Sequence, residues 1–265
     1  MSDAPFHIWQ GVYSSFTEAQ GDLDVFEQDT WIAKETQRIK NAKKEAQKPS
    51  PVTIPYAAQG YDYILPVVAA LSAPQNGPLR ILDFGGGMGS GFYDLIAKVP
   101  SLEDVEFHIV ENEPICQSAD ILLKDEPRVT FHSKLPPIDH FHIVHLGSSL
   151  HYIDDWRGLL ATLAAYKPSV ILFAELPAGD INKSFVTLQN FYGRHIPVWF
   201  WKLDDIFECM NDLGYGLAFQ SRYLAQYKET FGHPPMEGLP KNCRLDSFCQ
   251  LLFTHQHSGV GKKHV

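Results

Sequence analysis

The rhythm of apolar and polar positions changes along the chain, and the changes divide it. Residues 1–28, "MSDAPFHIWQGVYSSFTEAQGDLDVFEQ", mix aromatic and acidic residues with no sustained period and read as irregular. From about Asp29 to Gln47 the spacing predicts a helix, opened by Asp29 or Thr30 as cap. "KPSPVTIP" (48–55) then breaks the pattern, because proline cannot continue a helix, and reads as a linker. "YAAQGYDYILPVVAALSA" (56–73) predicts a second helix kinked at Pro66.

From Leu79 onward short apolar runs alternate with amphipathic stretches. The runs predict strands over 79–84, 105–112, 128–132, 141–147, 169–176, 215–223 and 247–255. Between them, 89–99, 113–125, the neighbourhood of 154–166 and 203–214 predict helices, the last ended by Gly214. Strands alternating with helices, with no tight hairpins, predict an α/β domain built on a mostly parallel sheet covered on both faces. The last two strands have only a loop between them, so one is expected to run antiparallel. The division that follows is an N-terminal cap or extension over 1–55, an α/β domain over 56–256 and a disordered tail over 257–265.

Composition narrows the field. The 265 residues are 45% hydrophobic, enough for one large domain with an appendage. The net charge of −9 makes a poor general binder of nucleic acid, whose phosphates dominate such affinity. The basic cluster "KETQRIKNAKKEAQK" (34–48) has glutamates at helical spacing and reads as a solvated helix face. Cys243, Cys249, His255 and His257 fit no common zinc spacing, so the expectation is structural thiols and no metal. The N-terminus lacks the basic and apolar regions of a signal peptide, and no apolar run has membrane-span length, which leads to the expectation of a cytoplasmic protein.

The chemistry is concentrated in "ILDFGGGMGSG" (81–91), where five glycines fall in seven positions after an aspartate. Each glycine inside a regular element costs about 0.5–1 kcal/mol relative to alanine, so the run calls for a ligand. A dinucleotide fingerprint GxGxxG fails in both registers, its third position falling on Ser90 or Phe92. The pattern Asp83-x-Gly85-x-Gly87-x-Gly89 is complete instead. Glu111 ends the next strand, where a carboxylate can accept two ribose hydroxyls, a device nicotinamide enzymes share. "HIVHLGSSLHYIDDW" (142–156) then places small residues and a histidine after the fourth strand.

These three stretches, in this order, resemble class I S-adenosylmethionine-dependent methyltransferases. The resemblance implies a Rossmann-like, seven-stranded, mostly parallel sheet with a helical N-terminal extension, and S-adenosylmethionine as cofactor. It implies cofactor contacts at Asp83, Gly85, Gly86, Gly87 and Gly89, at Glu111 and Asn112, and at Gly147 and Ser148. Many relatives carry an acid after the third strand for the adenine amino group; here the nearest polar candidate is Ser133. "WQGVYSSFTEA" (9–19), an aromatic helix and the glycine motif are together similar to a methyltransferase family associated with bacterial surface-polysaccharide gene clusters. That narrower likeness implies a small-molecule acceptor, the hydroxyl or amine of a sugar or polysaccharide precursor. The alternatives are a non-catalytic module holding cofactor or partner on the same fold, and a nicotinamide oxidoreductase, disfavoured by the failed fingerprint.

For a hydroxyl acceptor a base is needed, and histidine titrates in the right range. His151 is the first candidate by position, with a helix cap as its alternative role. Glu175 ends the fifth strand. His195 lies in the aromatic stretch "NFYGRHIPVWFW" (190–201), which reads either as a pocket wall or as packing. Tyr13 belongs to the N-terminal segment that would cover the site.

Overall fold

Two larger sheets share the fold, one regular and one assembled from distant segments, beside a two-stranded ribbon. The computed structural model describes residues 6–46, 64–99, 101–191, 193–223, 225–227, 230–232 and 234–256. The expected linker over 48–55, the first part of the helix expected from residue 56 and the expected tail lie outside them.

In chain order the elements are β1 (Trp9–Tyr13), α1 (Phe16–Ala19), α2 (Asp29–Ala46), α3 (Ile64–Ser72), β2 (Leu79–Phe84), α4 (Ser90–Lys98), β3 (Val105–Val110), α5 (Glu113–Leu123), β4 (Val129–His132), β5 (Ile143–Gly147), α6 (Trp156–Ala164), β6 (Val170–Leu176), β7 (Ala178–Gly179), β8 (Phe185–Phe191), β9 (Arg194–Lys202), α7 (Leu203–Asp212), β10 (Tyr215–Tyr223), β11 (Ala225–Tyr227), β12 (Thr230–Gly232) and β13 (Phe248–His255). The main sheet has seven strands in the order β10-β13-β6-β5-β2-β3-β4. The run β6-β5-β2-β3-β4 pairs in parallel throughout, and β13 is antiparallel to both its neighbours.

Alternation along each strand feeds two cores. Ile81, Phe107, Ile143 and Leu172 face one side, where Ile39 of α2, Leu65 of α3, Phe92 of α4 and Ile115 of α5 pack. Leu82, Val144 and Ile171 face the other, against Trp156 and Leu160 of α6 and Ile206 of α7. Local signals set the helix ends. Asn112 accepts the Ile115 N–H at 3.0 Å with Pro114 in the first turn of α5. Asp155 does the same for Gly158 at 3.0 Å, and Gly214, at φ 84°, follows α7.

The second sheet has the order β1-β8-β9-β7 and corrects two expectations. Residues 1–28 are not irregular throughout: Trp9 pairs with Gln189 and Tyr13 with Val186, a strand whose partner lies almost the whole domain away in sequence. Five residues with glycine at the centre offer no readable period until that partner is present. The chain also has tight hairpins. β8 and β9 pair antiparallel from Phe185↔Phe200 to Phe191↔Arg194, with Gly193 at φ 77° in the turn, and β11–β12 form a second one between β10 and β13. Among the described residues no helix is long and apolar enough to cross a membrane.

Candidate active site

The carboxyl ends of β2, β3, β5 and β6 open on one rim, where ligands bind in open α/β sheets. At the end of β2, buried Asp83 sits opposite His145 of β5 in register, and its Oδ1 lies 2.8 Å from His145 Nδ1. The chain then turns through Gly85, Gly87 and Gly89 at φ 71°, 58° and 86°, the left-handed region that glycine enters without strain. A side chain on Gly85 would strike Ser149, and one on Gly86 would strike Asp83. The tight backbone is therefore held from behind, while Ser149 donates to the Phe84 carbonyl at 2.6 Å.

Glu111 ends β3 and turns back over this loop, accepting the Gly87 N–H and the Asn112 N–H, each at 3.0 Å. Burial raises its carboxyl above the usual range. The two N–H donors oppose that rise, and the carboxylates of Glu35 and Asp83 add to it. Glu35 comes from α2, on the far side of the loop. It is 1% exposed, and its Oε2 occupies the space a side chain on Gly87 would need. Thr36 beside it donates to Met88 Sδ at 3.5 Å. The basic stretch carrying Glu35 is thus not wholly a solvated face. An acid four residues after Trp31 and four before Ile39 was the available signal.

A cavity of about 280 Å³ lies between the rim and the small sheet. Ser148, His151, Tyr152 and Glu175 line its rim side; Trp9, Gln189, Asn190, Phe191, Phe200 and Phe248 line the other. Ser148 and Glu175 sit on neighbouring strand ends at φ 56° and 55°, conformations costly for residues with a Cβ and concentrated at functional sites. Gly147 precedes them, in register with Ala174. His151 is buried, and its Nδ1 has no hydrogen-bond partner among the described residues. Burial holds the imidazole down at about 3, so it is neutral near pH 7. Tyr152 donates to Gln189 Oε1 at 2.9 Å, tying rim to small sheet, and burial together with the Glu175 charge raises its phenol.

The structure does not bring every expected residue here. His195 is exposed on β9, its backbone N–H donating to Asp22 Oδ2 at 2.9 Å, and it does not line the cavity. Tyr13 packs beside Phe16, Ala19 and Val186 in a separate small cluster. Ser133 is exposed and hydrogen-bonded to Glu113. Asn112 uses its side chain to cap α5 and to donate to the Phe26 carbonyl at 3.1 Å. The aromatic stretch serves both expected purposes by alternation: Val198 and Phe200 line the cavity, whereas Trp199 packs toward Phe16 and Trp201 meets Trp156. The sequence reading missed Trp9 and Gln189, whose positions depend on the second sheet, and Phe248 at the start of β13 in the main sheet.

The sheet order with its single antiparallel strand, the glycine turn and the acid of the next strand define a class I methyltransferase. A family model described as a methyltransferase domain matches residues 56–218, and the chain belongs to that family. S-adenosylmethionine is its cofactor. Among solved structures the chain is similar to the Burkholderia thailandensis 1,6-didemethyltoxoflavin-N1-methyltransferase, with bound 1,6-didemethyltoxoflavin and S-adenosylhomocysteine: 13% identical, covering 96% of this chain and 93% of that one, TM-score 0.54. It is also similar to a Listeria monocytogenes protein assigned as an S-adenosylmethionine dependent methyltransferase, 14% identical, covering 72% of this chain and 96% of that one, TM-score 0.50. At such identities the likeness shows the fold. No curated protein matches the chain.

Proposed function

We propose that the chain methylates a small molecule bound in the 280 Å³ cavity, at a hydroxyl or amine brought against His151. The observation that carries this reading is the buried imidazole with an unpartnered ring nitrogen, set at the carboxyl rim beside two strained residues. An unpaired buried polar group costs about 1–3 kcal/mol, which a bound acceptor would relieve.

The residues at the loop fit the cofactor. In this reading Gly85, Gly86, Gly87 and Gly89 would take its amino-acid end, Glu111 its ribose hydroxyls, and Gly147 and Ser148 would close the rim. When bound, the cofactor supplies an activated methyl on a sulfonium. The protein's share is orientation, worth up to ~7–11 kcal/mol in well-placed systems, and the handling of one proton. His151 accepts a hydrogen bond from the acceptor and orients it, becoming the base where the acceptor raises its basicity. Glu175 stands beside it as a second polar anchor. In this reading the N-terminal segment caps the cavity through Trp9. A sugar or polysaccharide precursor is the acceptor class, since sugar faces stack on aromatic rings such as the half-buried Phe191.

The test is incubation of purified protein with labelled S-adenosylmethionine and fractionated small-molecule extracts, sugar nucleotides among them. Transfer of label to a small molecule supports the reading. Tight cofactor binding with no transfer to any fraction overturns it in favour of a non-catalytic module.

A further inference from the structure

Of the 18 residues of α2, the two that are buried are Ile39, an ordinary core residue, and Glu35, a carboxylate. A buried acid needs a reason, because an ion removed from water is costly unless paired. Among the described residues it is paired with Arg38, whose Nη1 lies 3.6 Å from Oε1 on a side chain 60% exposed. That is a solvent-screened contact one turn along, and Oε1 makes no hydrogen bond among the described residues. The Glu111 carboxylate, whose own pKa the Glu35 charge helps to raise, faces it across the loop and adds repulsion rather than relief. Three acids thus converge on Gly85–Gly87, and the deepest of them lies directly over Gly87.

We propose that Glu35 receives the α-ammonium group of the cofactor's amino-acid end. The inference rests on the cofactor reading above and adds a residue from outside the matched domain, whose boundary is residue 56. The cofactor brings two positive centres to this loop, an ammonium and a sulfonium. Only the ammonium carries N–H donors, so only it can fill the empty hydrogen-bonding capacity of Oε1. Cofactor and N-terminal helix are then linked: α2 completes the cradle, and occupancy of the cradle neutralises the charge that α2 buries.

The experiment compares the parent with Glu35→Gln, nearly the same in shape, by calorimetry with three probes. S-adenosylmethionine has both positive centres, S-adenosylhomocysteine has the ammonium alone, and 5′-methylthioadenosine has neither. The expected result is a loss of roughly 10- to 100-fold for the first two, by the same factor, with 5′-methylthioadenosine unchanged. The ligand-free melting temperature of the variant should be no lower than the parent's, because the lost charge was poorly paired. Equal affinity for all three overturns the proposal, a loss confined to S-adenosylmethionine assigns the residue to the sulfonium instead, and an equal loss for all three with lower stability makes Glu35 structural. If the parent itself binds neither of the first two, the cofactor reading fails first.

Discussion

The two sheets present opposite designs. The seven-stranded sheet places β2, β3 and their intervening helix consecutively, so the glycine loop and Glu111 are brought together within some thirty residues. The small sheet joins Trp9–Tyr13 to Phe185–Phe191, and the cavity is walled by both. The glycine loop and Glu111 are therefore set by neighbouring sequence, whereas Glu35 and the cavity proposed for the acceptor depend on the chain's beginning meeting segments far from it.

The comparison breaks most severely at the loop. Gly87→Val forces a β-branched residue to φ 58° and drives its Cβ into Glu35. Cofactor affinity should fall at least ~100-fold, with stability down by about 1–2 kcal/mol from backbone strain alone. Gly77→Val is the control: its φ is 77°, but no atom of the described residues beyond its chain neighbours lies within 4 Å of the added Cβ, so calorimetry should find strain without loss of binding.

Trp9→Ala attacks the other half. Trp9 is 3% exposed, with edge contacts to Phe200 and Phe248 at 5.8 Å each. The expected cost is about 3–5 kcal/mol by urea denaturation. If the halves are separable, the folded fraction still binds S-adenosylhomocysteine as tightly as the parent. A parallel fall in cofactor affinity would show the two sheets to be one cooperative site.

His151→Ala should lower turnover at least ~100-fold while cofactor affinity stays within about twofold. Unchanged turnover with reduced stability would return His151 to a purely structural role beneath Tyr152. The smallest effect is its pH signature. The folded imidazole sits at about 3, below its ordinary value, so the unfolded chain binds the extra proton between the two. The stability involved is whole above about pH 6.5 and drains as pH falls toward 3, reaching about 2 kcal/mol near pH 5. Denaturation midpoints of His151→Gln across this range should lack that slope.

Much of this was legible before the structure. The seven strands of the main sheet, the helices between them and the Asp83–Gly89 turn follow from period-two runs, cap residues and glycines, signals carried within a few residues of one another. Glu111 was legible because strand ends in consecutive βαβ units fall on one rim by topology. What the tertiary structure decided was everything that depends on distant chain meeting distant chain. β1 exists because β8 offers it hydrogen bonds, Glu35 is buried because α2 lies across the loop, and His195 faces solvent because β9 alternates the other way. Local sequence sets which conformations are cheap, but burial and pairing are properties of two segments at once, so a carboxylate on a charged helix looked solvated until the loop beneath it was in place.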